Sequence, residues 1–560
     1  MKKFNFWVVV AIALMTVQCN PQDATEKTVW IGGAQSPIYA GYAGETTFIV
    51  DLHFVTEGQT GTVTWYSNDA GTTPISSPVG ITGTMHSYLG SGYHFQASLT
   101  FNITASASAG TYYFRVTIDG TQSNVCELVI SALVAGITIN PTGIVSLGWG
   151  QSTTLTATIS PANATNKNIS WSSDSDDSNI KVNAETGTVT LIGYYLGGEI
   201  TIRATATDGS GVTATKNITV GRWGQGDGTP GNPYIIVTPE QLDAVRYQMS
   251  AHFKLGQNID LTTYLQSGGE GYAKWGTAGW MPLGGVIVYS SSFFSGNFDG
   301  DGFKITGLWS NRLTGDGGGL FNVVSGGNVQ NLGVEIAIDG SIRLSGDYVG
   351  GIAGYVESSS ITSCYVIGSI TNSANYVGGV AGMNNGNIVN CYYIGTITGP
   401  ASFYGGITGS NSGSITNCYT MGSVSNYRYA GGIAGGNSSG NITNCVALNS
   451  GVAISYTAAV MNVDVGRVVG YTYLSTLVNN WAHSEMIVTA NGIPFGSSAG
   501  PENIAGADIT PVDAEKTLTW WTTTTNWNTT SPNTEWKFGS DDDNPWKWDA
   551  TLQRPILYWQ

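Results

Sequence analysis

The 560-residue sequence predicts an all-β protein: two β-sandwiches followed by a right-handed parallel β-helix, a solenoid with a capping helix and a Trp-rich C-terminal cap. Three observations lead there. Glycine is abundant, at 77 residues, while charged residues are only 10%, against roughly 25% in ordinary soluble domains. Ile, Val, Tyr and Trp recur in short runs bounded by Gly, Asn and Ser, as short strands joined by many turns require. Beyond about residue 350 the chain repeats itself at a constant step. The length exceeds what a single core serves, so several domains are expected. The net charge is −16 and no Lys/Arg-rich groove is evident, which argues against nucleic acid as a partner.

Lys2 and Lys3 precede an apolar run from Phe6 to Val17. The run is too short to span a bilayer and suits an export signal. Leu14-Met15-Thr16-Val17-Gln18-Cys19 resembles a bacterial lipoprotein signal, although Gln18 stands where that family prefers a small residue. The resemblance implies removal of residues 1–18 and acylation of Cys19, with membrane attachment through the N-terminal lipid. Two or more acyl chains would hold the protein stably at the cell surface as an outer-membrane lipoprotein. Residues 19–28 read as a polar tether.

Residues 29–132 alternate in short runs: Thr47–Phe54, Thr62–Tyr66, Ala97–Ile103, Tyr112–Ile118 and Cys126–Ile130. Ala109-Gly110-Thr111-Tyr112-Tyr113-Phe114 resembles the tyrosine corner of immunoglobulin-like sandwiches, with Phe114 where a core Cys often sits. Cys126 has no partner nearby and reads as a small packed hydrophobe. In residues 133–221, Ile169-Ser170-Trp171 supplies a core anchor and Asp208-Gly209-Ser210-Gly211 a hairpin turn. This segment resembles the bacterial Ig-like domain of group 2, which implies a spacer of the kind found in adhesins. A Gly-rich linker is expected at 222–231. Thr238-Pro239-Glu240-Gln241 then starts a helix running to about Met249, with Thr as N-cap and Gln at the capping-box position. A strand is expected at Phe253–Leu261.

The repeat occupies 232–485. Gly351-Ile352-Ala353-Gly354 recurs as Gly379–Gly382, Gly406–Gly409 and Gly432–Gly435. Cys364, Cys391, Cys418 and Cys445 follow at a constant step of 27, in phase with Ile361, Ile388, Ile415 and Ile442. These blocks resemble the GLUG motif of bacterial surface proteins, adhesins among them. A constant step places like side chains one above another, roughly 4.8 Å apart. Ile over Ile then fills the interior, and Asn390, Asn417 and Asn444 are expected to form a corner ladder, each amide bonding the next. A disulfide wants Cβ atoms about 3.8 Å apart, so the four cysteines are expected to be reduced, inward-facing and structural. A rising ladder also does not converge on one tetrahedral metal point. The solenoid ends need covers. The helix at 239–249 and the segment 486–560, with seven Trp from Trp520 to Trp559, are the expected caps.

Catalytic signatures are missing. His53, His86, His94, His252 and His483 form no H-E-x-x-H. Gly436–Gly440 and Gly496–Gly500 fit G-x-S-x-G without the strand–turn–helix context a nucleophile elbow needs. Acidic residues recur at no fixed rung, and the Asp299/Asp301 turn and Asp541–Asp543 read as structural or solvated. No catalytic residue, metal ligand or cofactor is therefore assigned. Tyr365, Tyr392 and Tyr419 are expected to line up outward, and with Trp546 and Trp548 they are the candidate ligand-stacking aromatics. The expected function is adhesion, with a host or matrix protein or a glycan as partner. Alternatives are a polysaccharide lyase or hydrolase acting on the solenoid face, and a purely structural surface component.

Overall fold

The computed structural model describes residues 28–32, 39–40, 44–53, 61–86, 94–174, 178–193, 198–284, 293–312, 317–338, 340–344, 346–456, 464–494, 500, 502–527 and 535–560. The signal segment 1–18, Cys19 and nearly all of the 19–28 tether lie outside the described residues. Among the described residues no helix is long and apolar enough to cross a membrane.

In the first sandwich, alternation along each strand sends every second side chain inward. Gly44–His53 pairs antiparallel with His94–Ile103, and Thr62–Tyr66 with Gly110–Ile118. Val50, Leu52, Trp65, Leu99, Phe101, Phe114 and Leu128 are buried between the sheets. Phe114 packs beside Trp65, ring centroids 5.6 Å apart. The Tyr112 hydroxyl donates to the Ser108 carbonyl at 2.8 Å, closing the tyrosine corner. Cys126 is only half-buried, and that burial still pushes its thiol up to about 11.

The second sandwich packs Leu155, Val189, Ile202 and Ile218 around Trp171. Strands Gly198–Ala206 and Thr213–Val220 form its hairpin. Gly209 and Gly211 supply the positive φ of the turn, and Asp208 accepts the N–H of Ser210 at 2.9 Å and of Val134 at 2.6 Å.

Residues 222–231, expected as a linker, are anchored at Trp223. Its ring stacks on Tyr234 at 4.2 Å and its Nε1 donates to the Gln241 carbonyl at 3.2 Å. Thr238 Oγ1 accepts the Gln241 N–H as the N-cap and donates to the Trp149 carbonyl at 2.8 Å. Trp149 of the sandwich, Trp223 and Leu242 of the helix thus share one core with the solenoid. The helix is shorter than expected, Pro239–Ala244 followed by a 3-10 turn at Val245–Tyr247. Fewer than two turns cover the first coil before the chain turns into strand Phe253–Leu255. The expected strand 253–261 is two, because Phe253–Leu255 and Ile259–Asp260 belong to different faces with a corner between them.

From Tyr234 the chain winds a parallel β-solenoid of about seven turns. Its coils stack into a first sheet, a second sheet and, in the middle coils, a third. Along the first sheet Phe253, Phe298, Val329, Ile361, Ile388, Ile415, Ile442 and Leu477 lie in register, none more than 8% exposed. The corner residues Asn331, Ser363, Asn390, Asn417, Asn444 and Asn479 have φ between 49° and 55°, a conformation Asn adopts at small cost. The amide ladder is not at this corner. It runs through Asn384, Asn411 and Asn437, with Nδ2 to Oδ1 bonds of 2.8 Å. These three are fully buried, where each amide must find a partner inside the coil. Asn390 and Asn417 instead bond outward, to Trp546 Nε1 and the Glu535 carbonyl.

Cys364, Cys391, Cys418 and Cys445 are free and fully buried in the solenoid core. Each Sγ lies 3.2–3.4 Å from the carbonyl two residues earlier. Burial pushes the Cys364 and Cys418 thiols well up.

The C-terminal segment is not an end cap alone. Ile487–Ala490 and Ala507–Asp508 continue the solenoid, pairing with Gly451–Ile454 and Trp481–Ala482. The Trp-rich remainder then runs back along the second sheet as a strap. Trp481 Nε1 donates to the Asn526 carbonyl, Trp536 Nε1 to Asn444, Trp546 Nε1 to Asn390, and Gln560 Nε2 to the Tyr392 hydroxyl. The reason is hydrophobic: the outward tyrosines form an apolar stripe that the indoles remove from water.

Candidate functional site

The predicted stacking aromatics are not a free surface. Tyr365, Tyr392 and Tyr419 are 4%, 0% and 0% exposed. Their rings face one another, 5.2 Å apart at 9° and 4.9 Å apart at 14°. The strap covers what the stacking leaves, and Tyr419 donates to the Pro555 carbonyl at 2.7 Å. Trp546 is fully buried and Trp548 half-buried in the same cluster. A second column, Tyr348, Tyr376, Phe403 and Tyr429, rises on the third sheet. Its rings also face one another, at 19°, 11° and 25°, so they offer edges rather than flat faces.

The strap ends against Gly302, and beyond that contact the second sheet carries a groove. Its floor is Ile259–Asp260, Lys304–Leu308 and Gly333–Ile336, parallel and in register at Ile259, Ile305 and Val334. The register slips between Ile305 and Leu308. Gly307 makes the slip, with φ +71° and Thr262 Oγ1 only 2.6 Å from where a Cβ would sit. The resulting hollow, about 640 Å³, is lined by Asp260, Thr262, Gln266, Thr306, Trp309, Glu335 and the fully exposed Ile338, among others. A second hollow, with Asn311 and Arg343, shares Trp309 and Gly340 with it. A third shares Glu335 and reaches Lys304, Tyr365, Arg554 and Trp559 at the end of the strap.

Hydrogen bonds from Thr262, through its side chain and its backbone N–H, hold the Asp260 carboxyl below the usual range. Glu335 pairs with Lys304 at 2.9 Å and accepts from the Tyr365 hydroxyl at 3.4 Å. The groove therefore combines apolar surface with carboxylates, hydroxyls, amides and cations, the mixture that orients a polar ligand. Sequence reasoning missed it because its residues come from separate coils, with Asp260, Trp309 and Glu335 outside the regular repeat. The one local signal was Gly307 inside a strand. Elsewhere, Ser438 ends the strand Ala434–Ser438 in a solenoid coil. Residues 496–499 of the second G-x-S-x-G lie outside the described residues. The Asp299/Asp301 turn is internally satisfied, with Asp299 accepting the Asp301 N–H at 2.9 Å and Asp301 paired to Lys254 at 2.9 Å.

Residues 133–216 match the family "Bacterial Ig-like domain (group 2)" and residues 345–371 match "The GLUG motif". A putative Gly-rich membrane protein of Evansella cellulosilytica is 38% identical over 142 residues, covering 24% of this chain and 15% of that protein. An Ig-like virion protein of Serratia phage KSP90 is 37% identical over 87 residues, covering 15% of this chain and 33% of that protein. The chain thus spans a third or less of either relative's length. Among solved structures, the Yersinia pseudotuberculosis adhesin InvE is 17% identical, covering 35% of this chain and 58% of that chain, with a TM-score of 0.17. An overall agreement that low establishes no shared architecture. The chain joins a bacterial Ig-like domain of group 2 to a β-solenoid bearing the GLUG motif.

Proposed function

We propose that this protein is a non-catalytic cell-surface binding protein that takes a glycan in the groove beside Trp309. The carrying observation is the shared position of Trp309 between two hollows, with Asp260, Thr306 and Glu335 alongside. A half-buried indole meets the C–H face of a sugar, while carboxylates and hydroxyls take its hydroxyl groups. The two sandwiches serve as the stalk, and acylated Cys19 attaches it to the outer membrane. The membrane designation of the Evansella relative supports that location. A hydrolase would need one carboxyl of a pair kept protonated. Asp260 is held ionised and Glu335 is ion-paired, which favours binding over turnover.

The test is a glycan array probed with the intact chain, Trp309→Ala and Asp260→Asn. Binding by the intact chain that both variants lose supports the reading. Absence of glycan binding, or equal binding by Trp309→Ala, overturns the groove as the site. Binding to a host or matrix protein alone would keep the surface role and replace the ligand. New reducing ends or unsaturated products abolished by Glu335→Gln would establish an enzyme instead.

A further inference from the structure

Glu515 is a buried carboxylate with too few partners. It is 4% exposed, and among the described residues its Oε2 has no hydrogen-bond partner. Its Oε1 lies 3.7 Å from His483 Nε2, too far for a hydrogen bond. Asp513 Oδ1 lies 3.5 Å from the same nitrogen. The three ligand atoms all fall within 4.8 Å of one another. A buried carboxylate left this way is costly unless a cation compensates it. We propose that His483, Asp513 and Glu515 bind a divalent transition-metal ion of the Zn2+ type, which clips the start of the strap to the C-terminal end of the solenoid.

The geometry suits that ion. Tetrahedral ligands on metal bonds of about 2.0–2.1 Å sit roughly 3.4 Å apart, close to the 3.5 and 3.7 Å from His483 Nε2 to the two carboxylates, which themselves lie within 4.8 Å of each other. One imidazole with two carboxylates suits zinc better than calcium, which takes oxygen ligands. Asp513 is half-exposed, so an ion has a way in and water can fill the fourth position. His483 follows strand Trp481–Ala482, the rung next to the last, whereas Asp513 precedes and Glu515 lies within the 3-10 turn Ala514–Lys516 that opens the strap. Two contacts must yield. Lys516 Nζ, 2.7 Å from Asp513 Oδ1, swings to solvent. The Glu485 N–H, which donates to His483 Nδ1 at 3.3 Å, turns to water, and Nδ1 takes up the proton that metal-bound Nε2 gives up. Arg467 Nη1 stays on the His483 carbonyl at 3.4 Å and on Asp508 at 2.6 Å. The spacing of these residues matches no metal motif.

The experiment uses the tag-free full chain, stripped with a chelator and titrated with Zn2+ by calorimetry and by thermal unfolding followed through Trp fluorescence. One Zn2+ per chain and a raised midpoint are expected. Glu515→Gln and the half-exposed Asp513→Asn, which leaves the core untouched, should each weaken binding roughly tenfold or more. No Zn2+ uptake by the stripped chain at micromolar metal, or uptake unchanged in Asp513→Asn and Glu515→Gln, would overturn the site.

Discussion

Trp559 stacks on Tyr365, ring centroids 5.6 Å apart and planes 25° apart. The contact joins the second-last residue of the chain to an early repeat of the solenoid. Tyr365 continues into Tyr392 and Tyr419, and Trp546 packs on both of the latter at 6.5 and 5.8 Å. The strap therefore seals several coils at once, and its removal would expose one continuous aromatic stripe.

Trp546 is the center of that seal. Trp546→Ala should cost about 3–5 kcal/mol, the usual range for a buried aromatic. The check is chemical denaturation of the solenoid transition by fluorescence. Nitration of Tyr392 and Tyr419, shielded in the intact chain, should rise with it.

The thiols give a second test. Without reductant, denaturant should release five reactive thiols from Cys126, Cys364, Cys391, Cys418 and Cys445. Before denaturation only the half-buried Cys126 should react, and slowly, because its thiol is pushed up to about 11. A lower count after denaturation would mean disulfides. A sixth thiol would mean that Cys19 carries no thioether lipid.

In the first sandwich, Tyr112→Phe removes the bond to the Ser108 carbonyl and little else. A loss of about 1 kcal/mol is expected, read as a shifted denaturation midpoint of that domain.

The groove should show a defined pH response. Asp260 titrates lower in the folded chain than the roughly 3.9 of a free aspartate. Its favourable hydrogen bonds are therefore present above that unfolded value and are lost as pH falls through the lower folded value. The ionised carboxylate accepts ligand hydroxyls, so glycan binding should hold from neutral pH through the range where a free aspartate titrates and fall only as pH drops through the lower folded value. Asp260→Asn should remove this part of the pH profile.

Local pattern carried much of the architecture. Ile361, Ile388, Ile415 and Ile442 at one step imply a stack, because a solenoid must put equivalent side chains at the same place in successive coils. Tyr112 with its upstream turn, and Trp171 amid alternating strands, read as sandwich cores for the same local reasons. The outward tyrosines were legible too, since they neighbour inward cysteines and a strand alternates its faces. Their cover was not legible. Alternation says which side of a sheet a residue takes, and nothing about what lies against that side.

The sequence by itself determined the sandwiches, the coil, the register and the reduced cysteine column, all consequences of short-range periodicity. Only the tertiary structure decided that the tryptophans lie along the coil, that Asn384, Asn411 and Asn437 bond to one another, and that Asp260, Trp309 and Glu335 share a groove. Those outcomes depend on contacts between residues distant in the chain. Their partners are selected by which surfaces remain uncovered once the coil has formed, and no repeat spacing records that.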